Sequence, residues 1–150
     1  MLIIGNKNPT FAEELSTQLK SHGIDSHVSS AHLSRDAFLD KIGRAAICVL
    51  LPMPEGEGFY MPALEGMAQG TFVICPDCVG NRSFCLDGVN SLRPEYTIED
   101  VVKAVLRARS LDHADLERFR GAALQTVQDH ALTKERRAFL DILENVTQIW

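Results

Sequence analysis

The sequence predicts a parallel α/β fold of the doubly wound kind, and three observations carry that expectation. Short apolar runs of strand length alternate along the chain with segments whose apolar residues recur at helical spacing. One of the runs, 46–51, is continuously apolar, and 71–75 reads as another buried strand, as suits parallel strands covered on both faces. Turn-forming glycines, prolines and asparagines cluster just after the runs, where a parallel sheet presents its carboxyl edge.

Taken in order, residues 2–4 form a short strand ended by Gly5-Asn6. Phe11, Leu15 and Leu19 then make a helical stripe that stops near His22-Gly23. Residues 24–28 read as a second strand, and Ser34 caps a helix over 35–42. The buried strand 46–51 follows, then a loop over 52–61. A short helix lies between Pro62 and Gly70, because proline suits a first helical turn and glycine the position past the last. Strand 71–75 leads into the turn-rich stretch 76–82. Thr97 caps the cleanest amphipathic helix, with Ile98, Val101, Val102, Val105 and Leu106 on one face and Asp100 at its third position. Two more helices are expected at about 114–129 and 134–149, the second capped by Thr133, with Phe139, Leu143, Val146 and Trp150 on a face that packs in the core. The expected architecture is Rossmann-like, with a helical C-terminal tail. Ligands of such sheets sit at the carboxyl ends of the strands, which nominates 5–8, 52–61 and 76–83.

Composition bounds the function. The chain has 150 residues, 45% of them hydrophobic, enough for one core and so one domain over 1–150. Twenty acidic against fifteen basic residues give a net charge of −5, which argues against nucleic acid or an anionic membrane surface as the main partner. The apolar stretches are too short to span a bilayer. The opening residues read as a strand rather than a leader, and four cysteines scattered through apolar runs suit a reducing compartment. The expectation is a cytoplasmic protein.

The segment 55–62 (Glu-Gly-Glu-Gly-Phe-Tyr-Met-Pro) puts two glycines and two carboxylates between a buried strand and a helix N-terminus. That helix end favours an anion, and glycines let a ligand approach the backbone. Carboxylates do not bind phosphate; they accept hydrogen bonds from hydroxyls. Glu57 on the loop and Glu65 in the helix, leaning toward its N-terminus, therefore fit a ligand that carries both phosphates and sugar hydroxyls.

Residues 57–73 (Glu-Gly-Phe-Tyr-Met-Pro-Ala-Leu-Glu-Gly-Met-Ala-Gln-Gly-Thr-Phe-Val) closely resemble the E-x7-E signature of GT-B glycosyltransferases, especially glycosyltransferase family 4. Residues 2–5, 45–52 and 87–90 resemble further segments of that family in the same order. The resemblance implies the C-terminal, nucleotide-sugar-binding half of a GT-B enzyme, with retaining transfer and neither metal nor cofactor required. It implies that Glu57 faces the donor sugar, and is the catalytic candidate, while Glu65 holds the ribose. Backbone N–H groups of Gly58, Phe59, Tyr60 and Met61 would then face the diphosphate and sugar. Tyr60, Gln69 and Phe72 depart from the usual pattern, and the family's upstream arginine and lysine for the diphosphate have no counterpart here. Lys7 and Arg82, on candidate loops, are the substitutes, with Gly5 and Asn81 as further donor contacts. The partners implied are a nucleotide sugar and a separate acceptor-binding domain or subunit, or a homodimer; the chain alone is half an active site. A non-catalytic binding or scaffold module is the alternative.

Three weaker patterns carry bland readings. Cys75, Cys78 and Cys85 lack a fourth zinc ligand, so Cys75 is expected in the core and the other two partly exposed in the loop. Residues 80–83 are either donor contacts or a simple turn. His22, His27, His32, His113 and His130 show no metal spacing and are expected on surfaces.

Overall fold

The computed structural model describes residues 1–146. Strands β1 (Leu2–Ile4), β2 (His27–Ser29), β3 (Ile47–Leu50) and β4 (Phe72–Ile74) form one parallel sheet in the order β2-β1-β3-β4. In register, Ile3 lies opposite Val28 on one side and Val49 on the other. Leu92 adds a single rung beyond β4, its N–H donating to the Val73 carbonyl (3.1 Å) and its carbonyl accepting from Cys75 N–H (3.0 Å). The chain winds outward from β1 to β2 and then returns past β1 to β3. That reversal opens a crevice between the carboxyl ends of β1 and β3.

Among the described residues there are six helices, α1 (Pro9–Ser21), α2 (Arg35–Gly43), α3 (Met61–Ala68), α4 (Ile98–Ser110), α5 (His113–Asp129) and α6 (Leu132–Glu144), and the last of them buries no residue. Successive strand residues point to opposite faces and so feed two cores. Leu2, Ile4, Cys48, Leu50 and Val73 pack with Ile42 of α2 and Ala63, Leu64 and Met67 of α3. Ile3, Val49 and Ile74 pack with Leu15 and Leu19 of α1 and Val101 and Val105 of α4. Side-chain caps start four of the helices. Asn8, Ser34, Thr97 and Asp112 accept from Phe11, Ala37, Asp100 and Asp115 N–H groups at 2.8–3.3 Å.

The expected α/β architecture is thus observed, with local differences. The strand expected at 24–28 lies at His27–Ser29. Ile24 instead closes α1: its N–H donates to the Leu19 carbonyl (3.0 Å) across Gly23 at φ 71°, and its side chain is buried. An apolar residue following a helix-ending glycine is a cap contact, not the start of a strand. On α4, Ala104 and Ala108 are buried where Leu106 was expected, and Leu106 faces outward. The short helix begins at Met61, one residue ahead of Pro62. The last helix begins at Leu132 with Ala131 as an N-cap that makes no side-chain bond, so Thr133 is not the cap. Backbone bonds from Ala131 N–H to the Gln128 carbonyl and from Lys134 N–H to the Ala131 carbonyl turn α5 directly into α6. Core packing of the α6 stripe is not realised: Phe139, Leu143 and Val146 are exposed. Its expected end at Ile149 and the position of Trp150 lie outside the described residues. Among the described residues no helix is long and apolar enough to cross a membrane.

Candidate functional site

Two loops frame the crevice. After β1 the chain turns tightly against α1, where a Cβ on Gly5 would lie 2.3 Å from Ala12 Cβ. Only glycine fits that approach, so Gly5 shapes the loop that carries Lys7 to the crevice. After β3, the loop to α3 is clasped to the loop after β4. Glu57 N–H donates to the Cys78 carbonyl (3.0 Å), and Tyr60 N–H to the Gly80 carbonyl (3.3 Å). A Cβ on Gly80 would lie 2.3 Å from the Glu57 carbonyl oxygen. Between them Val79 adopts φ 65°, with Gly80 N–H donating back to the Cys78 carbonyl (2.7 Å). This is a γ-turn at a β-branched residue, a strained conformation that the surrounding bonds impose. The Tyr96 hydroxyl spans both loops, donating to the Pro52 carbonyl (2.8 Å) and accepting from Asn8 Nδ2 (3.4 Å).

Each motif glutamate meets a cation. Glu57 is paired with Lys7, and its Oε1 also accepts from Met53 N–H at 3.1 Å. Glu65 Oε1 accepts from Arg35 Nε at 3.2 Å. The Lys7 ammonium also lies 5.1 Å from the centroid of the Tyr60 ring. That ring is buried, and burial pushes its phenol far above the usual tyrosine range, so it stays neutral. A cavity of about 420 Å³ opens here, lined among others by Ile4, Lys7, His32, Arg35, Phe38, Tyr60, Pro62 and Glu65.

The backbone donors expected along Gly58, Phe59, Tyr60 and Met61 narrow to two. Tyr60 N–H is used by Gly80, and Met61 N–H by the Phe59 carbonyl (3.1 Å). The Gly58 and Phe59 N–H groups donate to no acceptor among the described residues. The Phe59 side chain turns toward the helical tail, 4.8 Å from Phe84 and 6.1 Å from His130, centroid to centroid. His130 is accordingly half-buried, while the other four histidines are exposed.

Two of the expected contacts face elsewhere. Asn81 is fully buried: Oδ1 accepts from Cys78 N–H (3.3 Å), and Nδ2 donates to the Pro76 carbonyl (2.9 Å) and Cys75 Sγ (3.1 Å). Its amide builds the turn and is not free for a donor. Arg82 Nε donates to both Asp77 oxygens (2.9 and 3.0 Å), and Arg93 holds the same carboxylate (3.1 Å). Arg82 does not line the cavity. Hydrogen bonding from Arg82 holds the Asp77 carboxyl below its usual range. Cys75, Cys78 and Cys85 are all buried and unpaired, so the expected part-exposure of the last two is corrected. Burial pushes the Cys75 thiol up, whereas a hydrogen bond from Cys75 pulls Cys78 down. Among the described residues no group of three or more His, Cys, Asp or Glu side chains is arranged to hold a metal.

His32 and Arg35 are the ionisable cavity residues that sequence reasoning missed. Their signal was present, because Ser34 caps α2 directly after β2 and so places 30–35 on the same carboxyl edge as the loops that were nominated.

Residues 1–110 match the family described as Glycosyl transferases group 1. The chain belongs to that family. Solved structures agree with the glycosyl transferase assignment at the level of fold. A mutant of Staphylococcus aureus TarM, in complex with Fondaparinux, α-GlcNAc-glycerol and UDP, superposes with a TM-score of 0.69 at 14% identity, covering 98% of this chain and 34% of that one. The N-terminal domain of Candida albicans trehalose-6-phosphate phosphatase gives 0.67 at 13% identity, over 88% and 29%. The GtfA/B complex gives 0.63 at 17% identity, over 89% and 27%. The Rossmann-like sheet is therefore of the GT-B glycosyltransferase type. The chain spans about a third or less of the length of these solved chains. No curated protein matches it in sequence.

Proposed function

We propose that this chain is the donor-binding domain of a group 1 glycosyl transferase, holding a nucleoside-diphosphate sugar for retaining transfer. An acceptor-binding domain or separate subunit completes the cleft. The observation that carries this reading is the Glu65 carboxylate on the cavity at the β1–β3 crevice, with Glu57 eight residues earlier on the loop beside it. In this reading Glu65 accepts from the ribose hydroxyls and Glu57 from the sugar. The open Gly58 and Phe59 N–H groups and the start of α3 face the anionic diphosphate. TarM, solved with UDP, illustrates the ligand class. The GtfA/B structure is that of a complex, which supports assembly with a partner. We assign the protein to the cytoplasm, where its four unpaired cysteines stay reduced.

A second reading, a non-catalytic binding module of the same fold, is favoured by the attachment of Arg82 to Asp77. Of the two basic residues expected to stand in for the family pair, Lys7 alone lines the cavity.

Titration of the isotope-labelled chain with UDP, GDP, ADP and their glucose conjugates, followed by NMR, tests the donor site. Saturable shifts at 58–65 with one preferred base are expected. Glu65→Ala is expected to weaken nucleotide binding by about 1.5–3 kcal/mol, the value of a hydrogen bond to a charged group. Unchanged affinity removes the ribose role. Transfer or hydrolysis of the preferred conjugate, in the presence of the acceptor half, separates the enzymatic reading from the non-catalytic one.

A further inference from the structure

Both motif glutamates are already engaged, and each by a cation from a different element. Lys7 reaches Glu57 from the β1–α1 loop, and Arg35, the first residue of α2, reaches Glu65. The carboxylates are the sheltered members, 14% and 17% exposed, against 32% for Lys7 and 74% for Arg35. Both cations line the cavity. Glu57 is anchored independently, because Met53 N–H also donates to its Oε1. Glu57 thus has a second partner that does not depend on Lys7. The Lys7 ammonium already sits beside Tyr60, the N-cap of α3, where a helix end and two open N–H groups favour negative charge.

We infer that Lys7 and Arg35 form an anion-binding pair, held on the two glutamates until a ligand enters and exchanges partners with them. This rests on the donor-site reading above and adds a gate to it. A nucleoside diphosphate supplies what each side lacks: phosphate oxygens for the cations, and hydroxyls for the carboxylates. Partly exposed ion pairs are weakly held, whereas cation–phosphate bonds are strong, so the exchange runs toward the ligand. Arg82 takes no part, being fixed on Asp77. The device also explains how a crevice with two glutamates admits a polyanion. Its two carboxylates are matched by two cations, so the pair of ion pairs carries no net charge to repel one.

A double-mutant cycle tests the exchange, with UDP (or the preferred diphosphate) and the matching nucleoside as probes and amide spectra confirming the fold of each variant. Lys7→Met is expected to weaken the diphosphate at least tenfold and to leave the nucleoside within twofold. Glu57→Gln, which frees Lys7, is expected to tighten the diphosphate severalfold, and to lose that effect when Lys7→Met is also present. Arg35→Met is expected to weaken the diphosphate while tightening the nucleoside, because Glu65 is then free for the ribose. Diphosphate affinity unchanged by Lys7→Met, or an equal Glu57→Gln effect in both backgrounds, overturns the exchange and leaves the donor site standing. A wild-type chain that binds neither probe overturns the donor site itself, and the gate with it.

Discussion

Helices α4 and α6 are each thirteen residues long and strongly amphipathic, yet they meet opposite fates. α4 buries Val101, Val102, Ala104, Val105 and Ala108 against α1 and the sheet, whereas α6 buries no residue. Their starts differ as well. Thr97 caps α4 through Asp100 N–H and the Asp100 carboxylate, while Ala131 leaves α6 without a side-chain cap. Periodicity reports that a helix has an apolar face; it does not report what lies opposite that face. A helix of this length gains most of its stability from packing, so α4 belongs to the cooperative core and α6 stands apart from it.

Substitutions sharpen this contrast in graded steps. Val105→Asp puts an unpaired charge at a fully buried site and is expected to cost more than about 4 kcal/mol, read as loss of a cooperative urea transition. Thr97→Ala removes the α4 cap and is expected to cost about 1 kcal/mol in the same assay. The ion cluster after β4 extends the comparison to a loop, and pH is its probe. With its pKa lowered first by the Arg82 hydrogen bond, Asp77 adds stability above the ordinary carboxylate value of about 3.9. That stability is lost as pH falls below that value through the lowered one. Exposed pairs of this sort contribute about 0–1 kcal/mol, and Asp77→Asn is expected to flatten that part of the acid profile. Smallest of all, Leu143→Asp on α6 is expected to shift stability by no more than about 0.5 kcal/mol. A loss above 1 kcal/mol breaks the comparison, since it would mean that α6 is packed in solution.

The same distinction explains what the residues disclosed in advance. The sheet was legible because continuous apolar runs such as 46–51 have few other uses, and the caps Ser34 and Thr97 because a short polar side chain before an apolar stripe has a local task. Glu57 and Glu65 were legible as a pair because one loop and one helical turn separate them. Their cations were harder to read. Arg35 meets Glu65 across 30 positions and Lys7 meets Glu57 across 50, so the pairing exists only once β1, β2 and β3 lie side by side. Asn81 misled for another reason. An asparagine in a turn can satisfy either a ligand or its own backbone, and burial, which decides between them, leaves no mark on the local sequence.

The sheet stops almost as soon as it begins. At one margin β2 has three residues, and at the other Leu92 contributes a single rung. Lys41 lies over the first margin, its Nζ 3.1 Å from Ser29 Oγ. A free strand edge is a template on which other chains can polymerise, and proteins blunt it by keeping the edge short and placing lysine beside it. Both measures are in place, so the sheet that positions the glutamates is poorly suited to recruiting copies of itself into fibrils.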